Sequence, residues 1–139
     1  MIPVMQTRFS NEEGTEHGNC FTACVASLLE VPIESVPDFS SMGHRWFPTF
    51  YRFLDSHGYE FFGSGTIKSH GIKSLEEFKG VDGYVIVGGK SPRTYVKRGH
   101  AVIYKNGKLV HDPHPSGEGL LEVEDWYFIE RIPCEKENL

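Results

Sequence analysis

Apolar residues fall at positions 21, 24, 25, 28 and 29 of the segment Cys20-Phe21-Thr22-Ala23-Cys24-Val25-Ala26-Ser27-Leu28-Leu29. That spacing is the i, i+3, i+4, i+7, i+8 stripe of a helix packed along one face. Asn19 stands where an N-cap belongs, with a side-chain oxygen able to accept an orphan amide of the first turn. Pro32 limits the far end, because the residue before a proline avoids helical backbone angles. Ile33 to Val36 has room for one further turn before Pro37. A second helix is expected from near Phe47, with Pro48 in its first turn and Gly58 as its C-terminal cap. Trp46, Phe50, Phe53 and Leu54 form its buried face.

After Gly58 the pattern changes. Tyr59 to Phe62 reads as a short strand, Ser74 to Phe78 as a helical turn, Tyr84 to Val87 as a buried strand and Trp126 to Ile132 as a closing strand. His100 to Tyr104 and Lys108 to Asp112 flank Asn106-Gly107, a strong hairpin signal because both turn residues tolerate positive φ. The polar stretch from about 7 to 18 is loop, and the charged tail from Pro133 is expected to fray. Helices followed by antiparallel strands define an α+β fold, in one domain spanning 1–139.

Composition narrows the function classes. With 39% apolar residues, ten Phe, six Tyr and two Trp, the 139-residue chain can bury a proper core, which excludes general disorder. No run approaches the roughly 18 apolar residues of a membrane-spanning helix. Met1-Ile2-Pro3-Val4-Met5 has neither the basic start nor the apolar run of an export signal. Fourteen basic against nineteen acidic residues, a net charge of −5, argue against nucleic-acid binding by bulk electrostatics. Three cysteines, an odd number without an export signal, point to free thiols in a reducing cytoplasm.

One of those thiols is placed for chemistry. Cys20 heads the first helix, where unpaired amides and the helix dipole favour negative charge, so it is expected to ionise more readily than a free cysteine. A thiolate nucleophile needs a nearby base. Cys24, one turn on, shares the apolar stripe and reads as core; Cys134 lies in the tail. The candidate base is His100, and the candidate orienting acid is Asp112. Hairpin register decides whether they meet. A two-residue Asn-Gly turn pairs 100 with 113 and turns Asp112 to the opposite face. A three-residue loop, Lys105-Asn106-Gly107, sets His100 directly across from Asp112, on one face with Val102 and Val110. The catalytic reading therefore predicts the three-residue turn.

Gly18-Asn19-Cys20-Phe21-x-x-Cys24 opening an apolar helix, the later Gly99-His100-Ala101-Val102 strand, and a strand ending in Asp112-Pro113 together resemble the papain-like cysteine peptidases. The compact branch that includes the bacteriocin-leader-processing (double-glycine) peptidases is the most similar. The resemblance implies a papain-like fold with a nucleophile helix on an antiparallel sheet, and no cofactor. It implies Cys20 as nucleophile, His100 as general base and Asp112 as orienting acid. Gln6 and the Cys20 backbone amide would form the oxyanion hole, with Asn19, beside the nucleophile, as the other candidate donor. The reaction implied is amide or acyl-group hydrolysis or transfer on a protein, peptide or small amide.

Three other features bear on function. Gly88 to Gly99 carries Lys90, Arg93, Lys97 and Arg98 in an otherwise acidic chain, just before His100. It is read as a cleft border in which Arg93 and Arg98 recognise a substrate carboxylate or phosphate, against the plainer reading of a solvated connection. Gly88-Gly89-Lys90-Ser91 ends like a phosphate loop, but the required first glycine falls on Tyr84 and no helix follows, which excludes that reading. His17, Cys20, His111, Asp112 and His114 include zinc-ligand types but lack a paired-cysteine knuckle, so no metal site is expected. The non-enzymatic alternative is a binding or inhibitory module of papain-like shape whose basic loop engages an anionic partner.

Overall fold

A computed structural model describes residues 1–66 and 80–133. The expected helical turn at 74–78 and the tail with Cys134 lie outside those residues. Helix α1 spans Cys20–Leu29 and α2 spans Trp46–Ser56. They pack on an antiparallel sheet of β1 (Tyr59–Thr66), β2 (Tyr84–Lys90), β3 (His100–Lys105), β4 (Lys108–His111) and β5 (Glu122–Arg131), in the order β1-β5-β2-β3-β4. The architecture is thus α+β, as the helix-then-strand pattern requires. Among the described residues no helix is long and apolar enough to cross a membrane.

The apolar stripe of α1 is buried: Cys24 and Val25 are fully enclosed and Leu28 and Leu29 nearly so. The helix stops because Glu30 turns left-handed at φ 57°, and the Val31 amide closes back onto Ala26 O. Ile33–Ser35 forms the expected extra turn, of 3-10 type. Before α2 lie two further 3-10 turns, Phe39–Ser41 and Gly43–Arg45, and α2 begins at Trp46, one residue earlier than expected. Phe21 from α1, Phe39, Trp46 and Phe50 meet Tyr127 of β5 in a web of mostly edge-to-face rings with centroids 5.4–6.4 Å apart. This geometry suits the aromatic quadrupole and fixes both helices on the sheet. The other face of the sheet buries Val85, Val87, Val102, Trp126 and Phe128.

Two local expectations are corrected. Asn19 occupies the N-cap position but makes no capping bond. Its Oδ1 accepts the amides of Thr7 (3.0 Å) and Arg8 (2.9 Å), and its Nδ2 donates to Thr7 Oγ1 (2.9 Å). Two fixed backbone donors outside the helix compete successfully for the oxygen that would have served the first turn.

The hairpin does not use a three-residue loop. Lys105 pairs with Lys108 across the two-residue turn Asn106-Gly107, with φ values of 53° and 76°. The primed turn matches the twist of the strands and needs no third residue. One position on, Tyr104 pairs with Leu109 but Ile103 pairs with His111, so Val110 is an extra residue. A bulge of this kind inverts the side-chain alternation beyond it. Val110 is consequently 45% exposed instead of sharing a face with Val102, and Asp112 falls into step with His100. The carboxylate reaches the imidazole by a route the turn alone would forbid.

Deleting Val110 should restore the regular ladder and send Asp112 to the opposite face. The low-field imidazole N–H proton of His100, expected in the wild-type proton NMR spectrum from its carboxylate bond, should then vanish. Its persistence in the deletion variant would show that the bulge does not set the pairing.

Candidate active site

His100 begins β3 immediately after Gly99, which has φ 85° and whose missing Cβ would stand 2.8 Å from Gly89 O. Only a residue free of a side chain fits that approach, so the sharp entry into β3 is built on glycine. From there His100 Nε2 meets Asp112 Oδ1 at 2.7 Å, both side chains being 3% exposed. Asp112 is saturated: Oδ1 also accepts the His114 amide (2.9 Å), and Oδ2 accepts the Gly119 amide (2.8 Å). Three donors leave the carboxylate little freedom, and it in turn fixes the imidazole plane. With Nε2 committed to Asp112, Nδ1 is the ring atom left free, and the Cys20 thiol that shares the cleft lies close enough to act on the imidazole.

Burial of His100 opposes its charged form. That effect is outweighed by the hydrogen bond to Asp112, by the nearby Cys20 thiol and by the charges on both, so the imidazole is raised from 6.5 to about 9. Burial of Asp112 likewise favours its neutral form, but the His100 bond, the two amides and the charge on His100 hold it below 3.8. Cys24, fully buried on the same helix, is pushed up by desolvation and then by Cys20 and Asp112, which keeps it a neutral thiol.

Cys20 and His100 stand in a cleft of about 1040 Å³. One wall comes from the start of α1 and the 39–46 region, including Phe21, Phe39 and Trp46; the other comes from residues 88–99 and the first half of β5. Gln6 borders it and is 8% exposed. Its Nε2 donates to Arg8 O (2.9 Å), and Gly18 lets that amide approach, since a Cβ there would lie 3.1 Å from Nε2. Gln6 Oε1 is buried without a partner among the described residues, an uncompensated cost of the kind that concentrates at working sites. Arg93 and Arg98 line the cleft; Arg93 reaches Ser116 Oγ (3.2 Å) and Arg98 reaches Ser40 O (3.1 Å). Among the described residues neither they nor Lys90 and Lys97 take part in an ion pair.

The structure therefore brings Cys20, His100, Asp112 and Gln6 together and puts Arg93 and Arg98 on the cleft border. Asn19 also borders the cleft, but its side chain is spent on Thr7 and Arg8. His111 is directed elsewhere, its Nε2 bonding Val4 O at 2.9 Å. Among the described residues no three His, Cys, Asp or Glu side chains gather as metal ligands. The sequence pattern singled out His114 only as a zinc-ligand type and did not single out Asp125. His114 lines the cleft with its ring 6.2 Å from that of His100, and Asp125 lines it from β5. Asp125 sits in an acidic run, Glu122-Val123-Glu124-Asp125, that carries no strand signature. Compared with family models, curated proteins and solved structures, the chain finds no match.

The pair has a definite pH signature. His100, raised in the fold, contributes stability that is complete below pH 6.5 and is lost as pH rises through about 9. Asp112, depressed in the fold, contributes stability present above pH 3.8 and lost as pH falls through its lower folded value. Thermal unfolding should show wild-type stability falling between pH 6.5 and 9 by on the order of 2–3 kcal/mol. Asp112→Asn should be less stable at pH 6 and flatter across that interval. Parallel profiles for the two proteins would exclude the ion pair.

Proposed function

We propose that this protein is a papain-like cysteine hydrolase or acyltransferase acting on amides, of peptidase, isopeptidase or deamidase type. One observation carries the reading: a buried imidazole bonded to a carboxylate that two backbone amides also hold, standing beside the thiol that heads a helix, at an open cleft. Cys20 Sγ attacks the substrate carbonyl while His100 Nδ1 holds the thiol proton. The C–N bond then breaks, His100 delivers the proton to the departing amine, and a thioester remains on Cys20. Water or a second amine, deprotonated by His100, attacks that thioester; the C–S bond breaks and the thiol is restored. Asp112 keeps the imidazole oriented through both steps.

The oxyanion formed at each addition needs donors already in place. Asn19, diverted to Thr7 and Arg8, leaves the first-turn amides of α1 without a side-chain cap, so the Cys20 N–H is available to the cleft. Gln6 supplies the second donor through the Nε2 hydrogen not given to Arg8 O. Arg93 and Arg98, which join no ion pair among the described residues, suit an anionic group on a protein, peptide or small amide substrate.

Iodoacetamide treatment of the native protein followed by peptide mapping should modify Cys20 and spare Cys24. His100→Ala should slow labelling of Cys20 at pH 7 by at least about tenfold. Cys20→Ala should lower turnover of a p-nitrophenyl ester by about a thousandfold or more. An unreactive Cys20, or labelling indifferent to His100, would return the chain to a binding module. Separately, Arg93→Glu or Arg98→Glu should raise KM for a carboxylate-bearing ester several-fold without moving Tm. Unchanged KM would take both arginines out of substrate recognition.

A further inference from the structure

Asp125 pairs with Gly88 of β2, and Gly88 pairs on its other side with Ala101, next to His100. The three positions form a row across β5, β2 and β3, so the Asp125 backbone is about 10 Å from that of Ala101 at the usual strand spacing. Asp125, Gly88, Ala101, His100 and Cys20 all line the cleft. A Cβ at Gly88 would collide with Asp125 Oδ1. The missing side chain is thus what lets the carboxylate lean over β2 toward the strand bearing His100.

This carboxylate has no partner among the described residues to explain its position. Asp125 is half-buried, yet among the described residues it receives no hydrogen bond and joins no ion pair. The charge closest in effect, Glu124, is of its own sign; burial first and Glu124 second raise its pKa. The four cations of residues 90–98 line the same cleft but lie beyond ion-pair distance. A carboxylate partly stripped of water and given no donor gains most from a ligand that brings a positive one.

We infer that Asp125, seated over Gly88, is a subsite for a primary ammonium group of the substrate whose carbonyl meets Cys20. The substrate is then an amine-bearing acyl donor, with a lysine side chain or a free α-amino group as the source of the ammonium. The inference rests on Cys20 being the nucleophile, while the binding itself is measurable without chemistry.

Three probes separate the possibilities in proton–nitrogen NMR titrations that follow the Gly88 and Asp125 amides. Nα-acetyl-lysinamide carries only a side-chain ammonium, norleucinamide only an α-ammonium, and Nα-acetyl-norleucinamide neither. One of the first two should bind wild-type protein at least tenfold more tightly than the third, and which one identifies the source. Asp125→Asn should erase the difference. Gly88→Ala, which displaces the carboxylate, should erase it too while the His100 low-field proton remains. Equal binding of all three probes, or a preference that survives Asp125→Asn, overturns the subsite. If iodoacetamide labels Cys20 in a His100-dependent way and no ammonium preference exists, the subsite alone fails. If the preference exists and Cys20 is inert, the ammonium site stands and the nucleophile reading fails.

Discussion

The bond between His100 Nε2 and Asp112 Oδ1, 2.7 Å long and nearly sealed from water, is the constraint around which this end of the molecule is arranged. Burying two ionisable groups is costly unless each is paired and further hydrogen-bonded. Asp112 meets that condition through the amides of His114 and Gly119, while His100 turns its other ring nitrogen to the cleft that Cys20 lines. The N-terminal segment then locks the two halves of the arrangement. Val4 O takes His111 Nε2 and the Val4 amide reaches Ser27 Oγ, while the Gln6 amide bonds Pro113 O and the Thr7 and Arg8 amides bond Asn19. Residues 4–8 thus run as a clasp between the helix that carries the thiol and the strand end that carries the carboxylate.

Much of this was legible in the chain. The stripe at 21, 24, 25, 28 and 29 marks α1, the Asn106-Gly107 pair marks the hairpin, and Cys20 at a helix start with His100 leading a strand marks the meeting of thiol and imidazole. What could not be read is where local signals were overruled by partners distant in sequence. Asn19 looks like a cap because its chemistry suits one, and only the fold brings two better-placed amides to it. The bulge at Val110 has no glycine or proline to announce it. A primed two-residue turn and an in-step Asp112 appear incompatible until one extra residue in β4 is allowed. The acidic opening of β5 reads as loop because its strand pairing comes from β1 and β2 rather than from its own side chains.

Cys20 and Cys24 show how one residue type acquires two characters within a single turn. Both lie on α1, four residues apart. Cys24 faces hydrocarbon, is fully enclosed, and pays for ionisation with the entire desolvation cost. Cys20 is the first residue of the helix and lines the cleft, beside an imidazole that a carboxylate helps keep in its charged form to about pH 9. The contrast comes from position along the helix axis, and the aromatic web of Phe21, Trp46 and Tyr127 is what holds that axis against the sheet.

The charge pattern of the cleft follows from the same economy of partners. His100 already places a positive charge at the thiol, so the proposed chemistry has no need of the cations at 90, 93, 97 and 98. Among the described residues Arg93 and Arg98 bond only a hydroxyl and a carbonyl. A protein of net charge −5 has ample carboxylates to neutralise four basic side chains, yet among the described residues these join no ion pair. Asp125, from β5, is the converse, a carboxylate that joins no ion pair among the described residues. Opposite charges lining one cleft, unpaired among the described residues, favour a substrate that carries both signs. Such a substrate would be oriented at the thiol by its own charge separation, and a substrate of either sign alone would satisfy only one of the two.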